Sequence, residues 1–129
     1  MLKTHILDEL YHHSSNVAHG VEVPPGARLL FSNGQVGTRH DGSTPTTTAE
    51  QAEVVFGRIK AILAAANMAL SDIVRLTVFL TDQEDVRTFV AARDRVMGDH
   101  KPGAIILIVK GLARPELKIE IETIAAKVD

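Results

Sequence analysis

"DIVRLTVFLTDQEDV", residues 72–86, changes its period halfway along. Up to Leu80 it alternates, with Val74, Leu76, Val78 and Leu80 on one side and Ile73, Arg75, Thr77 and Phe79 on the other, which is the pattern of a strand buried on one face. Thr81 and Glu84 then take the spacing of a capping box, and Val86, Phe89, Val90 and Met97 form a helical stripe that stops at Gly98. A strand therefore runs straight into a helix, and the rest of the chain decides what this unit packs against.

Upstream the same order appears. Residues 46–66 carry Ala52, Val55, Phe56, Ile59, Ile62, Leu63 and Ala66 at spacings of three and four, opened by Thr47 with Glu50 and stopped by Asn67, a residue that tolerates positive φ. Before this helix, "NVAHGVEV" at 16–23 alternates and "LLFSNGQVG" at 29–37 is rich in strand formers, and Pro24, Pro25 and Gly26 between them predict a hairpin. Downstream, "KPGAIILIV" at 101–109 predicts a buried strand over 104–109, and "LKIEIETIA" at 117–125 alternates Leu117, Ile119 and Ile121 against Lys118, Glu120 and Glu122. The order is β-β-α-β-α-β-β, an α+β arrangement with two helices on one face of a five- or six-stranded mixed sheet. Two helices cover only one face, so the other needs a different cover, and self-association is the natural one.

The chain has 129 residues, which suits a single domain over 1–129, with 1–15 as an N-terminal extension. Hydrophobic residues make up 45% and charged residues 23%, the balance of a soluble globular protein. A formal net charge of −2 without a basic run gives no footprint for a nucleic-acid backbone. The absence of cysteine excludes disulfides, a thiol nucleophile and a thiolate metal site and fits a reducing compartment, so the cytoplasm is the expected location. Asp8 and Glu9 interrupt any signal-peptide core, and no stretch approaches the length of a membrane span. Neither a membrane nor a nucleic-acid partner is expected.

Candidate chemistry is sparse. Histidines 12, 13, 19, 40 and 100 show no ligand spacing, so no metal is expected, and no glycine-rich phosphate loop or other cofactor motif occurs. Ser14, Ser15 and Ser32 lack triad motifs. His19 reads as acid, base or anion ligand, or as a structural histidine of a strand. Asn33 either offers its amide to a ligand or takes positive φ before Gly34 in a bend or bulge. Glu120 is either a working carboxylate or one of a solvated charged row with Lys118 and Glu122.

Several stretches together resemble one family: "AHGVEV", "FSNGQVG", "IKAILAAANM", "SDIVRLTVFLTDQEDV" and "KIEIETIAA". The chain is identified as a member of the reactive-intermediate deaminases (RidA/YjgF), also labelled endoribonuclease L-PSP, and the match covers residues 16–126. The resemblance implies a two-layer, chorismate-mutase-like subunit, a homotrimer with its sheets inside and helices outside, and small-molecule clefts between subunits. It also implies hydrolysis of imines such as 2-aminoacrylate, with an arginine gripping the substrate carboxylate and a glutamate positioning water. Glu120 matches that glutamate, and Gly34 and Gln35 match the glycine and glutamine of the Ser-Gly-Gln motif. His19 sits where members carry Gln or His. The pattern departs at Val17, where active members have tyrosine, and at Asn33, where they have serine. The arginine of the Pro-Ala-Arg motif is absent: Pro102-Gly103 is followed by Ala104, and a shift of one residue places Ile105 there instead. Arg75 and Arg114 are the candidates to replace the lost cation. Weak or absent 2-aminoacrylate hydrolysis is expected, with a non-catalytic, metabolite-binding trimer as the alternative and RNA cleavage as a third reading.

Overall fold

The computed structural model describes residues 1–11 and 17–129. His12, His13, Ser14, Ser15 and Asn16 lie outside the described residues. Among the described residues, seven strands and two α-helices follow in the order β1 (Lys3–His5), β2 (Gly20–Glu22), β3 (Arg28–Phe31), β4 (Gln35–Val36), α1 (Thr48–Ala65), β5 (Ile73–Leu80), α2 (Val86–Met97), β6 (Gly103–Ile108) and β7 (Ile119–Lys127).

Five strands form one sheet in the order β3-β7-β5-β6, with β4 also on β7. β7 is the hub. It pairs antiparallel with β3, β4 and β5, while β6 joins the far side of β5 in parallel. Both helices lie on one face, as expected. There Leu76, Val78 and Leu80 of β5 and Ile119, Ile121 and Ala125 of β7 meet Val55, Phe56 and Ile59 of α1 and Phe89 of α2. The rings of Phe56 and Phe89 stack at 6.2 Å between the helices. The Thr48 hydroxyl donates to the Asp85 carboxylate at 2.7 Å, tying the starts of the two helices together.

Local signals set the helix ends. The Glu50 amide donates to Thr47 Oγ1 at 3.2 Å, and Asn67, at φ 56°, turns the chain out of α1. At α2 the cap differs from the expected Thr81. Asp82 accepts the Glu84 amide at 2.9 Å and opens a short 3₁₀ turn that leads into the helix. Asp is as good a cap as Thr, and the strand runs through Leu80 with Thr81 still bonded to Lys118 O at 3.2 Å.

Expectations for the strands also need correction. The hairpin between 16–23 and 29–37 does not form: β2 pairs with β1 in a separate two-stranded sheet, and β3 goes to β7. The second of those strands is broken at 32–34. Between the pairs Phe31–Ile124 and Gln35–Ile121 the first strand advances four residues and β7 three, so one extra residue bulges out, although Ser32 and Thr123 still bond through Ser32 N to Thr123 O at 2.9 Å. Finally, β6 is not a buried strand. It is the edge of the sheet, and Ile105 and Leu107 are 38% and 40% exposed on the face opposite the helices.

That second face carries more apolar surface. Leu29 and Phe31 of β3 are 55% and 66% exposed, and Phe79 and Ile124 lie between them and β6. At the start of β5 a register irregularity between Ile73 and Arg75 buries Ile73 and leaves Val74 half-buried, which reverses the expected alternation at that end.

Candidate functional site

The bulge at 32–34 positions the one carboxylate that sequence and structure both single out. Glu120 stands on the uncovered face of β7, opposite Val36 of β4 and Phe79 of β5, and Leu107 of β6 continues the row. Gly34 lies under it so closely that a Cβ at that position would stand 1.9 Å from Glu120 Oε2. Only glycine leaves room for the carboxylate there.

Gln35 belongs to the other side of the sheet. It is 7% exposed, its Nε2 donates to the Asn33 carbonyl at 3.0 Å, and its Oε1 accepts from Arg58 Nε of α1 at 2.9 Å. Arg58 Nη1 also donates to Thr38 O at 3.0 Å. A chain of hydrogen bonds thus runs from α1 through Gln35 to the bulge that carries Gly34. Asn33 is exposed at the bend and does not take positive φ; among the described residues other than glycine only Asn67 does.

Glu120 and Gly34 are brought together, with Asn33 beside them in the bulge and Gln35 bracing it from the other side of the sheet, whereas His19 and Ala104 lie elsewhere. The His19 amide donates to His5 O at 2.8 Å and its Nδ1 accepts the Leu7 amide at 3.0 Å, so it helps to hold the N-terminal segment. The neighbouring Ala18 amide donates to Pro102 O at 3.1 Å, which fixes this segment at the start of β6. Glu120 aligns with Leu107 near the other end, about 13 Å further along at the usual rise of a strand. Ala104 is paired with Leu76 and packs against the helix-covered core. Its neighbour Ile105, paired with Thr77, is the residue that shares a face with Glu120. The register moves the position of interest from Ala104 to Ile105.

Neither arginine candidate stands in the Glu120 row. Arg75 is on the same face but opposite Ile124 and Gly103, with Thr77 and Glu122 in between. Arg114 sits in the exposed β6–β7 connection, 3.9 Å from Glu116, beside a cavity of about 560 Å³. The larger cavities, of about 580 and 700 Å³, lie near the N-terminal strand and on the flank of α1, away from Glu120. In one chain the site is open sheet surface. Among the described residues no group of three or more His, Asp or Glu is placed to hold a metal ion.

Sequence reasoning passed over Val36, Phe79, Leu107 and Arg58. The first three were legible as the minor face of alternating strands, but their meeting around Glu120 depends on non-local register. For Arg58, on a helix flank, no sequence signal existed.

The arrangement is that of a carboxylate with apolar neighbours across the strands and Glu122 beside it along β7, able to orient water beside a neutral or positively charged carbon centre.

Comparison with known proteins agrees with the fold and the motifs. The model of the family described as endoribonuclease L-PSP matches residues 15–127. The 2-iminobutanoate/2-iminopropanoate deaminase of Escherichia coli is 32% identical over 103 residues, which cover 77% of this chain and 80% of that protein. A Rid-family protein, YyfB from Yersinia pestis, superposes with a TM-score of 0.86 at 24% identity, covering 98% of each chain. The YjgF protein of E. coli superposes at 0.74 with 28% identity, covering 98% of this chain and 99% of that one. By sequence, motif and fold, the chain belongs to the RidA/YjgF family.

Proposed function

We propose that the protein hydrolyses a small imine or enamine at a cleft formed between subunits of a homotrimer, with Glu120 positioning the water. The observation that carries this reading is the Glu120 carboxylate, set on Gly34 by a bulge and flanked across the strands by Val36 and Phe79 on an uncovered sheet face. The water loses a proton to the carboxylate as its oxygen adds to the imine carbon. The carbon–nitrogen bond then breaks as the new hydroxyl becomes a carbonyl, and the nitrogen leaves as ammonia, having taken the proton held by Glu120 and the proton of that hydroxyl.

Two features support a site completed by another copy. Leu29, Phe31, Ile105 and Leu107 are all exposed on the sheet face of the single chain, where they lack the cover that apolar residues usually find. The segment of His19 is also held before the start of β6 while Glu120 aligns with Leu107 near its other end, so a site containing both draws on a second chain.

The substrate differs from that of arginine-bearing members. Ile105 provides no guanidinium on the face of Glu120, and a carboxylate substrate there loses a charge-assisted contact of about 1.5–3 kcal/mol. Hydrolysis of 2-aminoacrylate and of other 2-imino acids is therefore weak or absent. The same apolar surround favours a second reading, a cytoplasmic trimer that holds a metabolite without transforming it.

Imines generated by an amino-acid oxidase or an amine oxidase, with ammonia release followed in the wild type and in Glu120→Ala, separate the two readings. Turnover lost in Glu120→Ala supports catalysis. Ligand binding without turnover in either protein supports the binding module. Intact single-stranded RNA after incubation with the purified protein disposes of the ribonuclease reading.

A further inference from the structure

The flank of α1 carries a cavity on the other side of the sheet from the Glu120 carboxylate, bordered by Gln35. Its volume is about 700 Å³, within the range of small-ligand pockets. Val54, Ala61 and Ile62 give it an apolar lining, and Arg39, His40 and Arg58 stand around it. No carboxylate lines it, although the chain as a whole has a net charge of −2.

The two arginines are not equivalent. Arg39 is already engaged, with Nη2 3.9 Å from the Glu50 carboxylate and Nη1 donating to Ser43 Oγ at 3.3 Å. Arg58 bonds only neutral acceptors, Gln35 Oε1 at 2.9 Å and Thr38 O at 3.0 Å. These bonds fix the plane of its guanidinium without cancelling its charge, and among the described residues Nη2 has no hydrogen-bond partner. A guanidinium oriented in advance gives up little freedom when it captures a planar anion.

We propose that this cavity is a second binding site, for a small organic acid whose carboxylate meets Arg58 and whose aliphatic body lies on Val54, Ala61 and Ile62. The class follows from the lining: an inorganic anion leaves the apolar surface unused, and a neutral hydrocarbon leaves the Arg58 charge unanswered. The proposal stands apart from the imine chemistry of Glu120 and does not depend on it.

Titration of the isotopically labelled full chain with hexanoate, and in parallel with hexanamide, tests it by NMR. The expected result is that hexanoate shifts the amide resonances of Val54, Ala61 and Ile62 and binds about tenfold or more tighter than hexanamide, the factor carried by one charged hydrogen bond. Arg58→Gln is expected to remove that preference. Ala61→Phe, which fills the cavity from an exposed helix position and leaves the Arg58 bonds in place, is expected to block binding. If Arg58→Gln fails to fold, the two probes and Ala61→Phe still decide. Equal binding of acid and amide, unchanged affinity in Ala61→Phe, or no shifts at millimolar hexanoate overturns the proposal. So does a change of oligomeric state in Arg58→Gln by light scattering, which identifies the cavity as a subunit contact.

Discussion

The carboxylate of Glu120 rests on the Cα of Gly34, and a methyl group at residue 34 would meet Oε2 at 1.9 Å. The atoms in the way belong to the free end of a flexible side chain, so the fold can absorb the intrusion by moving the carboxylate. Gly34→Ala is expected to cost about 1 kcal/mol or less. It is nevertheless expected to lower any Glu120-dependent turnover as far as Glu120→Ala does. A thermal melt beside an ammonia-release assay checks this, and full turnover in Gly34→Ala would separate Glu120 from the chemistry.

Gly37 presents the opposite case. A Cβ there would lie 2.7 Å from Gln51 Cβ and 2.9 Å from its Cα, and a helix backbone cannot step aside. Gln51 is fully buried, donates to Pro45 O and Glu116 O at 2.9 Å each, and accepts the Lys118 amide at 2.8 Å. Gly37→Ala is expected to destabilise by about 1–3 kcal/mol through overpacking. Gln51→Ala is expected to cost about 3 kcal/mol through orphaned backbone groups. Urea unfolding curves measure both.

Restoring a cation distinguishes adjacent residues of β6. Ile105→Arg places a guanidinium on the face of Glu120, and turnover of imines bearing a carboxylate is expected to rise about tenfold or more. Ala104→Arg drives the same group into the core beside Leu76 and is expected to unfold the protein. Activity gained by Ala104→Arg and not by Ile105→Arg would show that the register is misassigned.

The acid limb of stability involves the end of the main sheet. Arg28 grips Asp129 with Nε and Nη2, at 2.5 and 2.9 Å. That forked bond, helped by the charges of Arg28 and Lys127 and opposed by slight desolvation, holds the Asp129 carboxyl below its ordinary value of 3.8. A lowered carboxyl stabilises the fold above its unfolded value, and the contribution fades as pH falls through the folded one. Asp129→Asn is therefore expected to lower the melting temperature slightly at about pH 6, by an amount that shrinks as the pH falls below 3.8. A difference that grows toward acid pH would contradict the assignment.

How far the sequence could be read depended on whether a signal was local. Thr47, Glu50 and Asn67 delimited α1 because caps act within a turn, and the alternation of 117–125 separated Ile119 and Ile121 from Glu120 correctly. The Pro24-Pro25-Gly26 turn misled because a turn shows that the chain reverses, not which strand receives it. β2 found Lys3–His5, and β3 found a strand almost a hundred residues later. The site divided along the same line. Glu120, Gly34 and Gln35 were legible as a motif, while the choice between Ala104 and Ile105, and the part played by Phe79 and Leu107, required the register of β5 with β6 and β7.

The central place of β7 also shapes how the molecule is made. Until the ribosome has delivered residues 119–127, β3 and β4 have no partner in the main sheet, and only the β5–β6 pair can assemble. Until then nascent helices stand beside unpaired strand edges, and the arrival of β7 closes the sheet in one step.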